Sequence, residues 1–383
     1  MDQVRMGMIG VGNMGSAHVK SIMAGNVPGM VLGAVADINP AKLDWMRENY
    51  PDIPCFDDTE KMMDSGLVDA VHVATPHYLH PVLVQLALQK GLHVMCEKPA
   101  GVYTKAVREM NEAAQRSDKT FAIMFNQRTN CVYRKMKEII DSGKMGRIRR
   151  VNWVITNWYR PQSYYDSGAW RATWDGEGGG VLLNQCPHNL DLLQWLCGMP
   201  VSVRAFTHNG KWHDIEVEDD VTAYLEYANG ATGVFVTSTG DCPGSNRLEI
   251  TMDGGRLVCD GKKLIMTELA TSEPEFTATY KGGFGKPDMT EYEVETDGLN
   301  PQHNEVLRAF AAHILHGEPL TAQGIEGING LTLSNAMHLS SWLDKTVTLP
   351  LDEELFLAEL NKRRATSRGK TAASVTLNTE GTY

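Results

Sequence analysis

The chain has 383 residues, a formal net charge of −11 and 42% hydrophobic residues, enough to build more than one core. Acidic and basic residues are interspersed, so no basic stripe points to nucleic acid, and no apolar run approaches the roughly 18 residues of a membrane span. Seven scattered cysteines without a C-x-x-C pair fit reduced thiols and give neither a disulfide framework nor a zinc site. No metal is expected, and the expected location is the cytoplasm.

Strand and helix signals alternate through the first third. Strands are predicted at 4–9, 30–36, 69–74, 92–96 and 120–125. Helices are predicted at 13–24, 40–49, 57–64, 78–90 and 104–117. Alternation at this spacing means a parallel sheet with helices on both faces.

The turn after the first strand reads Gly10-Val11-Gly12-Asn13-Met14-Gly15, and Asp37 follows at the end of the second strand. A G-x-G-x-x-G between strand and helix, with an acid about 20 residues on, is the context of a dinucleotide fingerprint. Gly10 allows the tight turn, Gly12 lets a pyrophosphate approach, and Gly15 lets helix pack on strand. The free N–H groups at the start of the helix, around Asn13 and Met14, favour phosphate. Asp37 accepts hydrogen bonds from ribose hydroxyls and repels a 2′-phosphate. Ile38-Asn39-Pro40 offers no Arg to hold one. The expected cofactor is NAD.

In a doubly wound sheet, ligands lie beyond the carboxyl ends of the strands. Two stretches fall there. Thr75-Pro76-His77-Tyr78-Leu79-His80 follows one strand, and Glu97-Lys98-Pro99 follows the next. Thr75, Pro76, His77 and His80 are expected at the nicotinamide end of the cofactor, with His80 starting a helix and packing under Glu97. Lys98 can reach both the cofactor and a substrate hydroxyl.

The pattern changes after about residue 126. A helix at 130–142 precedes strands at 148–158, 201–208, 219–227, 231–238, 246–252, 255–260 and 290–295. Ala228-Asn229-Gly230 and Asp253-Gly254-Gly255 read as hairpin turns. Helices are predicted at 301–316 and 324–343. The expected organisation is a Rossmann domain at 1–125, a mainly antiparallel second domain at 126–361, and a loose tail at 362–383 with few large apolar groups.

The second domain holds a dense cluster from Trp170-Arg171 through Gly178-Gly179-Gly180 to Asn184, His188 and Asp191. Asn184 and His188 are four apart and share a face if both lie on one amphipathic helix. Histidine suits proton exchange near neutral pH. Tyr159, Tyr164, Tyr165, Trp170 and Trp174 crowd the preceding loop, and aromatic faces with polar tips suit a sugar ring. Cys186 is expected to be a buried, inert thiol.

Together these motifs resemble the glucose–fructose oxidoreductase / inositol dehydrogenase / MocA family, from Gly7 to about Leu360. The resemblance implies an N-terminal Rossmann sheet plus a C-terminal α+β domain whose open sheet often forms a subunit interface, hence a homodimer or homotetramer. It implies Lys98 as the hydroxyl-orienting residue and His188 as acid/base. Many members carry Asp four residues before that His; this chain has Asn184, a departure shared with members resembling nucleotide-sugar 3-dehydrogenases. The expected activity is NAD-dependent oxidation of a ring hydroxyl, first C3, of a sugar or glycoside. Lys98, Tyr159, Tyr165, Trp170, Arg171, Asn184 and His188 are expected at the substrate. Two alternatives are glycoside cleavage or epimerisation with retained NAD, and a non-catalytic sugar or NADH sensor.

Overall fold

Apolar residues alternate between the two faces of the first sheet, so both faces are buried. In the computed structural model, which describes residues 2–368 and 370, β1 (Val4–Ile9), β2 (Met30–Ala36), β3 (Cys55–Phe56), β4 (Ala70–Val73), β5 (His93–Cys96) and β6 (Phe121–Ile123) form a parallel sheet of order β3-β2-β1-β4-β5-β6. Val4, Met6, Met8, Ala70 and Met95 share one core; Ile9, Val71, Val73, Val94 and Cys96 share the other. That period of two, with apolar residues buried on both faces, is the signature of a sheet covered on both sides.

The intervening helices are α1 (Asn13–Met23), α2 (Pro40–Asn49), α3 (Thr59–Asp64), α4 (His80–Gln89) and α5 (Thr104–Gln115). The predicted strands and helices of this third all form, with ends shifted by one to two residues. The two-residue β3 escaped the sequence reading because so short a strand carries no periodicity.

The second sheet has nine strands, in the order β14-β13-β12-β11-β7-β10-β9-β8-β15. These are β7 (Ile148–Ile155), β8 (Ser202–Asn209), β9 (Glu218–Glu226), β10 (Thr232–Ser238), β11 (Asn246–Met252), β12 (Gly255–Asp260), β13 (Lys263–Leu269), β14 (Met289–Glu293) and β15 (Val347–Thr348). Only β7 and β10 pair in parallel. Its helices are α6 (Cys131–Asp141), α7 (Gln162–Tyr165), α8 (Pro187–Cys197), α9 (Glu273–Thr279), α10 (Gln302–His316), α11 (Gly327–Leu343) and α12 (Glu353–Arg364). Val151, Trp153, Ile155, Val221, Leu225 and Phe235 are buried on the inner face. Val154, Phe206 and Tyr224 are exposed on the outer one.

The sequence order conceals one part of the architecture. Helix α10 lies far along the chain, yet Val306, Leu307, Phe310 and Ala311 complete the core under β1 and α1. Ser21 Oγ donates to Asn304 Oδ1 at 2.5 Å across that contact. The Rossmann core is therefore built from 1–125 plus a returning helix.

The tail also departs from expectation. Residues 362–364 finish α12, and Ser367, Arg368 and Lys370 hydrogen-bond to the body. Asp352 caps this helix by accepting from Leu355 N at 3.0 Å, and Phe356 and Leu360, one turn apart, are buried. Arg363 lies 3.8 Å over the Trp342 ring. A polar composition hid a helix held by two apolar residues and its cap. Residues 369 and 371–383 of the expected tail lie outside the described residues. Among the described residues, no helix is long and apolar enough to cross a membrane.

Candidate active site

The glycine turn has the form the fingerprint requires. Gly10 sits at φ +90°, and a Cβ there would meet the Ala74 carbonyl at 2.6 Å. A Cβ on Gly15 would collide with the Gly10 carbonyl, whereas Gly12 faces open space. Gly12 caps α1 without a side chain, so Asn13, Met14 and Gly15 open the helix at the place for a pyrophosphate. Asp37 Oδ2 accepts Val11 N at 2.7 Å and Oδ1 accepts Asn39 N at 2.8 Å. Each oxygen keeps a lone pair for a ribose hydroxyl. Ile38 beside it is 90% exposed, leaving the adenosine side open. The residues fit NAD.

At the nicotinamide end, Thr75 Oγ1 is buried without a hydrogen-bond partner among the described residues. Pro76 leads into a short 3-10 turn, His77–Leu79. The His80 ring lies between two carbonyls, Pro99 at 2.7 Å and Thr75 at 2.8 Å. It thus ties the two ligand-facing turns together. The expected packing under Glu97 belongs instead to His18 and His72: His18 Nε2 meets Glu97 Oε1 at 2.7 Å, and His72 Nε2 lies 3.5 Å from it. Burial pushes the Glu97 carboxyl up, and the two histidines more than reverse it, holding it well below its ordinary range. His18, His72 and Glu97 also place three ligand atoms within 4.8 Å of one another. Two ligands on one ion stand roughly 3 Å or more apart, given metal–ligand bonds of about 2.1 Å, so the closer His18–Glu97 contact reads as a hydrogen bond.

Lys98 emerges from this turn, with a cis peptide to Pro99. Its ammonium donates to the Asn184 carbonyl at 3.0 Å. Burial lowers its pKa; Glu97 opposes this, and Arg160 and Arg171 add to it. A lysine so placed parts with a proton more readily than one in water.

His188 lies in the first turn of α8 and is 2% exposed. Both ring nitrogens lack a hydrogen-bond partner among the described residues. Burial, then the nearby charges of Lys98 and His303, hold its imidazole well below the ordinary range. It is neutral at pH 7 and free to accept a proton.

Asn184 departs from the expected helix. Pro187 occupies the first position of α8, and residues 181–186 form successive turns, with Asn184 N donating to Gly180 O at 2.9 Å. Proline starts a helix readily and disfavours helical backbone just before it. So Asn184 and His188 are not on one helical face. Helix α8 is also buried almost all round, not amphipathic. Asn184 uses its side chain elsewhere: Nδ2 donates to Glu177 Oε1, and Oδ1 accepts from Tyr164 Oη at 3.4 Å.

Tyr164 is the hub that the site reading passed over. Its hydroxyl accepts from Arg171 Nη1 at 2.9 Å and Gln185 Nε2 at 3.2 Å. The Arg171 and Arg160 guanidiniums lie 4.5 and 5.2 Å from its ring centre. Glu177 is buried; burial pushes its carboxyl up, while Arg171, 4.0 Å away, opposes. Arg160 has no carboxylate within 4.0 Å among the described residues; it donates to the Tyr159 carbonyl at 2.9 Å. Two acids, Asp175 and Glu177, lie between Trp170-Arg171 and the three glycines, and only the fold shows that Glu177 is the buried one.

The other aromatics divide. The Trp170 ring meets His77 edge-on at 5.6 Å, joining the substrate-side loop to the cofactor-side turn. Tyr165 is buried and donates to Thr239 Oγ1 at 2.7 Å, so it supports the second sheet. Tyr159 is 46% exposed, and only its carbonyl is engaged, by Arg160. The three glycines do bring backbones close, but to protein: a Cβ on Gly178 would strike Val102 and one on Gly180 the Glu218 carbonyl. Asp191 is a fork–fork partner of Arg128, at 2.8 and 2.6 Å. Burial pushes the Cys186 thiol up to about 12, the expected inert state. Asn126, just past β6, went unread. Its Oδ1 is buried without a partner, at the sheet end where ligands bind.

Two family profiles match the chain. "Oxidoreductase family, NAD-binding Rossmann fold" covers residues 4–125, and "GFO/IDH/MocA C-terminal domain" covers residues 133–258. The myo-inositol 2-dehydrogenase of Thermotoga maritima is 24% identical over 91% of this chain and 99% of its own. A 1-carboxy-3-chloro-3,4-dihydroxycyclohexa-1,5-diene dehydrogenase of Comamonas testosteroni is 29% identical, over 59% of this chain and 56% of its own length. The WlbA dehydrogenase of Bordetella pertussis, solved with NADH and UDP-GlcNAcA, superposes with a TM-score of 0.76 at 27% identity, over 91% of this chain and all of that one.

Proposed function

Because the chain belongs to the GFO/IDH/MocA family of oxidoreductases, we propose that it is an NAD-dependent dehydrogenase oxidising a ring hydroxyl of a sugar or glycoside. One observation carries the reading: Lys98, in the turn after β5, and His188, in the first turn of α8, share one buried centre, and the neutral His188 ring has no hydrogen-bond partner among the described residues. Burying a cation and an unsatisfied imidazole costs stability. A sensor needs neither, whereas proton removal from a hydroxyl needs both.

When bound, NAD supplies the hydride acceptor, held by Gly10–Gly15, Asp37, Thr75 and the turn to His80. His188 accepts the hydroxyl proton. Lys98 donates a hydrogen bond to the same oxygen and steadies its growing negative charge. Asn184, held by Glu177 and Tyr164, offers backbone and side chain to neighbouring hydroxyls. Trp170 closes the loop over the cofactor-side turn.

Charge supports a finer reading, an acidic sugar oxidised at C3. Arg160 and Arg171 both act electrostatically on Lys98, and Arg160 has no carboxylate within 4.0 Å among the described residues. Asn184 stands where many members carry Asp, removing a carboxylate that would repel another. The WlbA relative was solved with an acidic nucleotide sugar. The test is turnover of paired neutral and uronate sugars with NAD, with the product located by NMR. A keto group at C3 of a uronate supports the reading; turnover of neutral sugars alone overturns the acidic choice.

A further inference from the structure

The end of the chain reaches the substrate-side loop from outside. Arg364 Nε and Nη2 both donate to Asp175 Oδ1, at 3.1 and 3.0 Å. Its guanidinium lies 4.8 Å over the Tyr78 ring, and the Tyr78 hydroxyl donates to the Trp174 carbonyl at 2.8 Å. Ser367 Oγ donates to Glu216 Oε2 at 2.6 Å and accepts Asp175 N at 3.3 Å. Trp174 N shares that Glu216 oxygen at 3.3 Å. The Arg368 amide donates to the other Glu216 oxygen, and Lys370 Nζ donates to the Tyr165 carbonyl at 3.3 Å.

Four residues, Arg364, Ser367, Arg368 and Lys370, thus join three parts of the molecule: the cofactor-side turn through Tyr78, the loop through Tyr165, Trp174 and Asp175, and the approach to β9 through Glu216. The loop needs this support. Residues 166–177 form turns without strand or helix, and Ala172 inside it sits at φ +54°, a conformation that costs a non-glycine residue energy. The same loop carries Trp170, Arg171 and Glu177 toward Lys98 and Asn184.

We propose that Arg364, Ser367, Arg368 and Lys370 are a working part of the substrate site. Arg364 and Ser367 are positioning residues: they clamp loop 166–177 so that Arg171 and Glu177 stand in register with Lys98. This rests on the reading of that centre as the sugar site. The clamp acts mainly on the sugar side: its hydrogen bonds go to Asp175, Glu216 and Tyr165, and among the described residues it touches the cofactor-side turn only at the Tyr78 ring.

The test uses the full chain with Arg364→Ala and Ser367→Ala combined. Amide exchange of residues 166–177 is followed without any substrate, and steady-state constants are measured with a sugar that the wild type oxidises. Faster loop exchange, a sugar KM raised about tenfold and an NAD affinity unchanged within about twofold support the proposal; small displacements of positioning groups have effects of this order or more. Arg364→Lys should recover most of the loss, and so should the exchanged pair Arg364→Asp with Asp175→Arg. Unchanged loop exchange overturns the clamp. Faster exchange with an unchanged sugar KM overturns its role in the site. A wild type that oxidises no sugar defeats the functional reading instead, and loop exchange still decides the clamp.

Discussion

The Lys98 ammonium donates to the Asn184 carbonyl at 3.0 Å, joining residues 86 positions apart in the chain, one in the turn after β5 and the other in the turns before α8. That bond is one of several that join the cofactor-binding half to the rest of the chain, with Tyr78–Trp174 and Thr104–Asn335 among the others. It also orders the predictions, because each partner has a separate neighbourhood.

On the cofactor side, Asp37 sets nucleotide choice through its two oxygens, which already anchor Val11 N and Asn39 N. Asp37→Ser with Ile38→Arg should shift preference from NAD toward NADP. Titration of both nucleotides against wild type and variant checks this. Equal affinity of the wild type for the two contradicts it.

Asn184 tests the charge balance. Asn184→Ala should reduce sugar turnover roughly tenfold, the scale of losing a hydrogen bond worth about 1.5 kcal/mol. Asn184→Asp sets a carboxylate against Glu177, whose carboxyl burial already pushes up. The added charge should raise the proton affinity of His188 and Lys98 and move the pH optimum of oxidation upward. A pH–rate profile that stays in place means residue 184 does not act on the base.

Acid should unfold this protein early. Burial lowers the pKa of His72 and of His303 to about 4, and holds His77 and His188 well below the ordinary 6.5. Between those values and 6.5 the unfolded chain binds more protons than the folded one. The stability these neutral rings confer is therefore complete above about pH 6.5 and is lost as pH falls toward 4, by about 1.4 kcal/mol per pH unit for each such proton. Urea midpoints at pH 7 and pH 5 measure this. Equal midpoints refute it.

Much of the first sheet was legible because its signals are local. Gly10, Gly12 and Gly15 fall between a strand and a helix, and each strand is a short apolar run. Lys98 and His188 were found for the same reason, as chemistry-bearing residues at element ends. What sequence hid is long-range. Nothing near α10 shows that Phe310 belongs under β1. Tyr164 became the hub, ahead of Tyr159 and Tyr165, because the loop fold turns its hydroxyl toward Arg171 and Gln185. Pro187 did carry a local warning that the helix begins after Asn184. β13 and α12 were missed although Gly261 and Asp352 mark their starts.

The outer face of the second sheet motivates a prediction about assembly. Val236 pairs with Val154 and Thr222, and Val234 with Asn152 and Tyr224, so apolar groups form cross-strand rows. Val154, Phe206 and Tyr224 are each at least 39% exposed there. Contiguous apolar surface of this kind marks an interaction site. A homodimer or homotetramer through this face is the expectation. Light scattering should show it in the wild type and a monomer in Tyr224→Arg with Val234→Lys. A monomeric wild type at micromolar concentration contradicts it.

The central claim is that His188, beside Lys98, takes the proton from a sugar hydroxyl as NAD is reduced. The most direct measurement is NADH absorbance in one turnover of wild type and His188→Ala with a shared sugar, with NAD binding measured on both. The account predicts NADH from the wild type, a rate about 10²- to 10⁴-fold lower in the variant, and equal NAD affinity. A His188→Ala enzyme that reduces NAD at the wild-type rate would return His188 to a packing role and contradict the account.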